Sequence, residues 1–319
     1  MSAPRVVFVA LPSMKLLDLA GPSEVFRSAN DFGGGYDVRV ASPEPRVRTE
    51  EGLWLAELEP LPELGPGDVA IVPGLPLRAV PRTPGEVHRW LAESYERGAH
   101  VCSVCVGAFV LADAGLLHGV QCTTHWSRVD DLRRRCPGAR VMDNRLFVED
   151  GRITTSAGVA SGIDMALAMV ERAHGPLVAA SVAREMVVYL RRDGAQQQQS
   201  VYLDYRTHLH PGVHRVQDWL VANPAANATL EELGKLAHMS PRHLTRVFRQ
   251  ATGVTVKEFA TRLRLELARS LLHDPSLTVE EVAARCGFET PRQLRRVWKE
   301  AFGTTPGVER KREKSLAMA

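Results

Sequence analysis

Along the first half of the chain, short runs of β-branched and apolar residues alternate with longer stretches of helical period. Residues 5–10 (RVVFVA), 36–41 (YDVRVA), 68–72 (DVAIV) and 100–104 (HVCSV) have the pattern of strands buried on both faces. Between them, residues 19–29, 84–97 and 107–117 read as helices. Residues 153–156 (ITTS) lead into an apolar helix over 162–174, and another helix is expected over 177–191. This alternation predicts an α/β fold with a flavodoxin-like, doubly wound sheet, whose ligand sites lie at the carboxyl ends of the strands.

The pattern changes at residues 193–200 (DGAQQQQS), which have no apolar period and are expected to begin a connection running to residue 212. From Val213 onward every segment reads helical, so the expected organisation is 1–192, a linker over 193–212, and an all-α domain over 213–319.

The helical part contains an internal repeat. Residues 240–249 (SPRHLTRVFR) align with 290–299 (TPRQLRRVWK) at an offset of fifty, and Gly253 and Thr255 then align with Gly303 and Thr305. A helix opening on a capping box precedes each copy, with Thr229 and Glu232 in the first and Thr278 and Glu281 in the second. Thr290 and Gln293 form a third expected box. Pro241 and Pro291 fall at the first helical position, where a missing N–H costs nothing. Each unit is therefore helix, turn, helix.

In the second helix of each unit, Leu244, Val247 and Phe248, or Leu294, Val297 and Trp298, make an apolar stripe. Arg242, His243, Thr245, Arg246 and Arg249 are left on the other face of the first copy. In the second copy that face carries Arg292, Gln293, Arg295, Arg296 and Lys299. Arginine suits guanine and glutamine suits adenine in a major groove, so these ten residues are candidates for contacting double-stranded DNA. A protein-binding helical bundle is the alternative.

Charge supports the DNA reading. Residues 1–214 hold 22 Lys and Arg against 25 Asp and Glu, whereas residues 215–319 hold 18 against 12, a net +6. All the excess positive charge of the chain lies in the helical part, as a nucleic-acid-binding module requires. The whole chain, 319 residues with 45% hydrophobic and 24% charged, is too long for one typical domain and excludes collagen, disorder and a coiled-coil rod. Its apolar runs, such as residues 6–11, are far shorter than the roughly 18 residues of a membrane span, and no signal peptide opens it. A cytoplasmic, nucleoid-associated protein with no membrane partner is expected. Five cysteines at 102, 105, 122, 136 and 286 do not make a disulfide framework, so reduced thiols are expected.

Residues 213–311 resemble the DNA-binding domain of AraC/XylS-type transcription regulators, in which a long helix joins two helix-turn-helix units. Residues 256–274 would be that helix, and residues 283–288 (AARCGF) with 302–306 (FGTTP) carry the most specific likeness. Leu294 stands where the family often has phenylalanine. The resemblance places Arg242, Thr245, Arg246, Arg292, Gln293 and Arg296 at positions that contact bases or backbone. It also implies a homodimer, an activator rather than a repressor, and RNA polymerase as a partner. Two recognition helices in one chain should enter adjacent major grooves about 34 Å apart.

The first domain holds a second candidate site. Residues 101–109 (VCSVCVGAF) run from strand into helix and put Cys105 on a sharp turn before Gly107 and Ala108. This is the arrangement of a nucleophile elbow, in which a helix N-terminus favours the thiolate. His125, in residues 123–126 (TTHW), and Asp18, in residues 16–22 (LLDLAGP), could complete an activated group. Residues 4–190 resemble the PfpI/class I glutamine amidotransferase-like superfamily: Cys105 and His125 keep its spacing, and residues 73–75 (PGL), with Gly74 and Leu75, stand at its oxyanion-binding turn.

The departures from that pattern bear on catalysis. No histidine lies between Ser156 and Asp164, where amidotransferases carry a His-x-Glu pair. Val106 stands where PfpI-type proteases have histidine and isonitrile hydratases have threonine. Asp18, Gly74, Leu75, Cys105, Val106 and His125 are accordingly read as a candidate pocket for a small-molecule effector, in a domain without catalysis. Cys105 as a hydratase or hydrolase nucleophile, as part of a redox pair with Cys102, or as an inherited structural cysteine are the alternatives. Cys102 and Cys105 form one C-x-x-C with no second pair, so no metal and no cofactor are expected. The two halves together resemble the GlxA/FtrA-like regulators.

Overall fold

Strand β1 (Arg5–Val9) is a five-residue run in which Val6, Val7, Phe8 and Val9 are all fully buried. Successive side chains of a strand point to opposite faces, so both faces of the sheet are covered here. The same holds for β5 (Val69–Val72), β6 (His100–Val104) and β10 (Ile153–Ser156). The computed structural model describes residues 3–188, 192, 194, 198, 201–272, 276–308 and 310.

The six-stranded sheet has the order β2-β1-β5-β6-β10-β9, where β2 is Asp37–Ala41 and β9 is Phe147–Asp150. All neighbours are parallel except β9, which pairs antiparallel with β10 at the edge. The five parallel strands follow the flavodoxin order, which reverses between β1 and β5. Helices α1 (Leu16–Asn30), α5 (Val159–His174) and α6 (Pro176–Glu185) pack on one another, and α2 (Gly85–Glu96) packs on α3 (Gly107–Asp113). α4 (Val129–Arg135) follows α3.

The predicted strands and helices form close to their expected bounds, with two differences. Helix α3 stops at Asp113, short of residue 117. Helix α6 ends at Glu185, with Met186 and Val187 in a turn, and the remainder of its expected span, residues 189–191, lies outside the described residues. Five strands were not foreseen: β3 (Arg46–Arg48) and β4 (Trp54–Ala56), which form a hairpin, the two-residue β7 (Gln121–Cys122) and β8 (Arg140–Val141), and β9. Each is too short to show a period.

The chain divides into two compact units, Met1–Gln198 and Gln199–Ala319. Arg192, the last residue expected in the first domain, binds Asp164 through its backbone N–H and its guanidinium, and Gln198, in the span expected as a connection, hydrogen-bonds within the first unit. Val201, in the short helix α7 (Val201–Asp204), and Tyr205 pack on the core of the second unit.

Among its described residues, the second unit holds helices and no strand. Helices α8 (Pro211–Ala222), α9 (Leu230–Ala237) and α10 (Pro241–Thr252) close one core with Val256, Phe259 and Leu263 of α11 (Val256–Leu272). α12 (Val279–Arg285) and α13 (Pro291–Phe302) close a separate core with Leu265, Ala268 and Leu272 of the same α11. The long joining helix therefore serves both cores; residues 273 and 274 of its expected span lie outside the described residues. No described helix is long and apolar enough to cross a membrane.

Candidate nucleic-acid interface and buried cluster

Local chemistry builds each recognition helix. Thr229 accepts from the Glu232 N–H at 3.2 Å while the Glu232 carboxylate accepts from the Thr229 N–H at 2.8 Å, and Thr278 and Glu281 do the same at 3.1 and 2.7 Å. Both predicted capping boxes form, and Thr255 with Glu258 makes an unforeseen one at the start of α11. The box expected at Thr290 does not close on itself. Thr290 caps Gln293, but Gln293 Oε1 accepts from the Glu289 N–H at 2.9 Å, one residue earlier than a box requires.

The apolar stripes are buried as expected: Leu244 and Phe248 in the first copy and Leu294 and Trp298 in the second are fully enclosed, Val247 is buried, and Val297 is half-buried. The opposite face is open. Arg242, His243, Thr245, Arg246 and Arg249 are exposed, as are Arg292, Arg295, Arg296 and Lys299, while Gln293 is half-buried. Some of these side chains have local partners. Arg246 meets His243 Nδ1 at 3.2 Å, Arg296 pairs with Glu300 at 3.1 Å, and Arg295 pairs with Glu280 of α12 at 2.7 Å. Such exposed pairs are weak and exchange readily for a phosphate or a base edge.

The two units differ in their turns. The helix preceding each recognition helix repeats at an offset of 49, as Thr229 to Thr278 shows, whereas the recognition helices repeat at 50. The second turn is one residue longer. The left-handed position is His238 in the first turn (φ 57°) and Gly287 in the second (φ 73°).

In the first unit, Asp18, Gly74 and Cys105 meet at the carboxyl ends of β1, β5 and β6, where the strand order reverses. Cys105 is the elbow residue, with φ at 55° and its N–H bonded to Ser156 O at 2.8 Å. A β-carbon on Gly107 would stand 2.4 Å from Val72 O, so the chain needs glycine to enter α3 this close to β5. Asp18 is fully buried, and among the described residues neither carboxylate oxygen has a hydrogen-bond partner. Burial raises its pKa to about 6, with the Lys15 charge opposing the rise. Leu75 and Val106 are buried beside this group.

The surroundings of the elbow oppose a thiolate. Cys105 is 2% exposed, and burial, reinforced by the Asp18 charge, pushes its thiol up to about 11. This corrects the expectation that the helix N-terminus would favour the ionised form: the Val106 N–H lowers the pKa, but desolvation outweighs it. His125 is engaged elsewhere. The His125 Nδ1 lies 2.9 Å from Ser127 Oγ, and among the described residues no hydrogen bond joins its ring to Cys105. Cys102 lies in the core with its sulfur 3.8 Å from Met169 Sδ, and burial pushes its thiol up to about 12. All five cysteines are free.

Several residues around this buried cluster escaped the sequence. Thr124 Oγ1 donates to Cys105 O at 2.8 Å, and Gln198 Nε2 donates to Thr124 O at 3.0 Å and to Arg145 O at 2.9 Å. Glu51 accepts the Leu16 N–H at 3.2 Å through both oxygens, and so caps α1 from 35 residues away. Proximity of Thr124 to His125 is the one local signal among them.

An α/β domain of flavodoxin order with a cysteine elbow, followed by two helix-turn-helix units, defines a class of DNA-binding transcription regulators. Residues 4–172 match the DJ-1/PfpI family and residues 233–312 match a helix-turn-helix domain. The chain belongs to the DJ-1/PfpI family, in the group of HTH-type transcriptional regulators that carry both domains. It is 31% identical over 309 residues to the HTH-type transcriptional regulator CdhR of Pseudomonas aeruginosa, covering 95% of this chain and 90% of that one. An isonitrile hydratase of Pseudomonas putida is 32% identical over 175 residues, 54% of this chain and 72% of the hydratase. An AraC family transcriptional regulator from Pseudomonas putida, known from its crystal structure, shares the fold with a TM-score of 0.51 and 24% identity, over 57% of this chain and 99% of that one.

Proposed function

We propose that this regulator reads DNA with the exposed faces of α10 and α13, and that its first domain, residues 1–192, dimerises and senses a small effector without catalysis. The observation that carries the DNA assignment is that each recognition helix buries its apolar stripe and leaves Arg242, Arg246 and Arg249, or Arg292, Arg296 and Lys299, in solvent. Arg246, Arg296, Thr245 and Gln293 supply base readout. Arg242, His243, Arg249, Arg292, Arg295 and Lys299 supply phosphate contacts and the salt dependence that follows from counterion release.

Against catalysis stand the buried, protonated Cys105 and the engagement of His125 with Ser127. The pocket of Asp18, Gly74, Leu75, Cys105, Val106 and His125 then serves recognition. Gln198 ties its Thr124 wall to residues 193–212, the connection to the DNA-binding domain over 213–319, and gives the pocket a mechanical route to that connection. Dimerisation is supported by the exposed apolar side chains Leu17, Leu53 and Trp54, whose segments the Glu51 to Leu16 bond draws together. Activation through RNA polymerase on promoter DNA in the cytoplasm, at the nucleoid, completes the reading.

In a mobility-shift assay on the chain's own promoter region, Arg246→Ala and Arg296→Ala should each weaken specific binding by about 1–3 kcal/mol. Lys299→Ala should reduce the slope of log affinity against log salt by about one. Unchanged binding in both arginine variants overturns the assignment of the reading faces. Hydration of an isonitrile by the wild type, lost in Cys105→Ser, overturns the non-catalytic reading of the first domain.

A further inference from the structure

The two helix-turn-helix units have separate cores, and α11 is the element common to both. A second connection runs through the loop at residues 224–227, between α8 and α9 of the first helix-turn-helix half. From α11, Arg264 reaches into this loop: its Nε donates to Pro224 O at 3.0 Å, and its Nη2 donates to Ala226 O at 2.9 Å and to Asn227 Oδ1 at 2.7 Å. A planar guanidinium makes such a fork, and a lysine ammonium does not. Glu289, from the turn of the second helix-turn-helix unit, acts electrostatically on the same guanidinium.

From the other side, Gly287 closes on the same loop. A β-carbon built on it would stand 2.2 Å from Ala225 O and 2.8 Å from Ala225 Cα, so the turn of the second helix-turn-helix unit lies directly against the backbone of the first helix-turn-helix unit. The residue also has φ at 73°, so glycine is required there twice over. Ala226, Asn227 and Arg264 also line a cleft of about 540 Å³ whose walls include Thr245 of α10 and Gln293 and Arg296 of α13. The loop thus joins the two units within a few side chains of both reading faces.

We infer that Arg264 and Gly287, by clasping the loop at 224–227, fix the placement of α13 relative to α10 and so set the number of base pairs this protein accepts between its two contact segments. The inference rests on the reading that both helices enter major grooves. One inserted base pair moves the second groove by about 3.4 Å along the duplex and roughly 35° around it. A body braced at two places does not follow that displacement, whereas two units hinged on α11 alone would. Arg264 and Gly287 are positioning residues, and their effect appears in spacing preference rather than in which bases are read.

The test selects bound duplexes from a random-sequence library with the full-length protein, using wild type, Arg264→Met and Asn227→Ala. Wild type should return two enriched segments at one spacing, and the variants the same two segments at several neighbouring spacings. On the selected duplex lengthened by one base pair, wild type should lose about tenfold or more in affinity and Arg264→Met less than about threefold. Asn227→Ala removes a single exposed acceptor and carries the comparison if Arg264→Met does not fold. Variants that keep the wild-type spacing penalty, or a wild type that has none, overturn the inference and leave DNA reading intact. A wild-type selection with no enriched sequence, or with one segment only, overturns the reading of both helices and this inference with it.

Discussion

Gly74 approaches Asp18 so closely that a β-carbon on the glycine would lie 2.1 Å from Asp18 Oδ2, and 2.8 Å from Cys105 Cβ. The turn after β5 is thereby pressed against a buried carboxyl group and the elbow cysteine at the point where the strand order reverses. In Gly74→Ala the added methyl must displace one of them. A loss of about 1–3 kcal/mol in urea unfolding is expected, the usual cost of overpacking. Adding Asp18→Ala should recover part of it, and strict additivity of the two substitutions would show that the contact is not the cause.

The raised pKa of Asp18 makes the stability of the first unit pH-dependent. Between the ordinary carboxylate range and about 6, the folded state holds a proton that the unfolded state has released, so stability falls as pH rises through this window and then levels off. Asp18→Asn removes the dependence. It should be more stable than wild type by up to about 3 kcal/mol at pH 8, with the difference shrinking toward pH 4. Urea titrations of both proteins across that range measure it, and a constant difference between them would contradict the assignment.

With its thiol near 11, Cys105 carries about a hundredth of the thiolate of an ordinary cysteine at neutral pH. Mass-resolved labelling by iodoacetamide at pH 7.5 should therefore find it far slower than the half-buried Cys136. Asp18→Asn should speed Cys105 by removing the neighbouring charge. Rapid labelling of wild-type Cys105 would revive a nucleophilic or redox role.

The capping boxes give a graded prediction in the second unit. Thr229→Ala and Thr278→Ala should each destabilise it by about 1 kcal/mol, because each leaves backbone donors unsatisfied at a helix start. Arg295→Ala breaks only an exposed ion pair with Glu280 and should change stability by less than about 1 kcal/mol. Thermal unfolding compares the three.

The recognition helices were legible because everything that builds them lies within four residues: proline at the first turn, Ser240 or Thr290 at the cap, and an apolar stripe at helical spacing. The parallel strands were legible because burial on both faces leaves a continuous β-branched run. The hairpin of β3 and β4 and the strands β7, β8 and β9 were not, since two to four residues carry no period and their pairing is set by the neighbours they meet. Gln293 shows the limit within a motif. Its spacing from Thr290 suggested a box, but the longer second turn brings the Glu289 N–H within reach of its carbonyl instead.

Periodicity, caps and charge are properties of neighbours along the chain. They determined by themselves that this protein has a doubly wound domain, a double helix-turn-helix and a basic exterior on two helices. The protonation of Asp18 and Cys105, the Glu51 cap on α1 and the Arg264 clasp on the 224–227 loop were decided by tertiary structure alone. Each depends on groups distant in sequence being brought together, and for Asp18 and Cys105 on the removal of water around them. Desolvation, which reversed the expected ionisation of the elbow cysteine, exists only once the chain has closed over it.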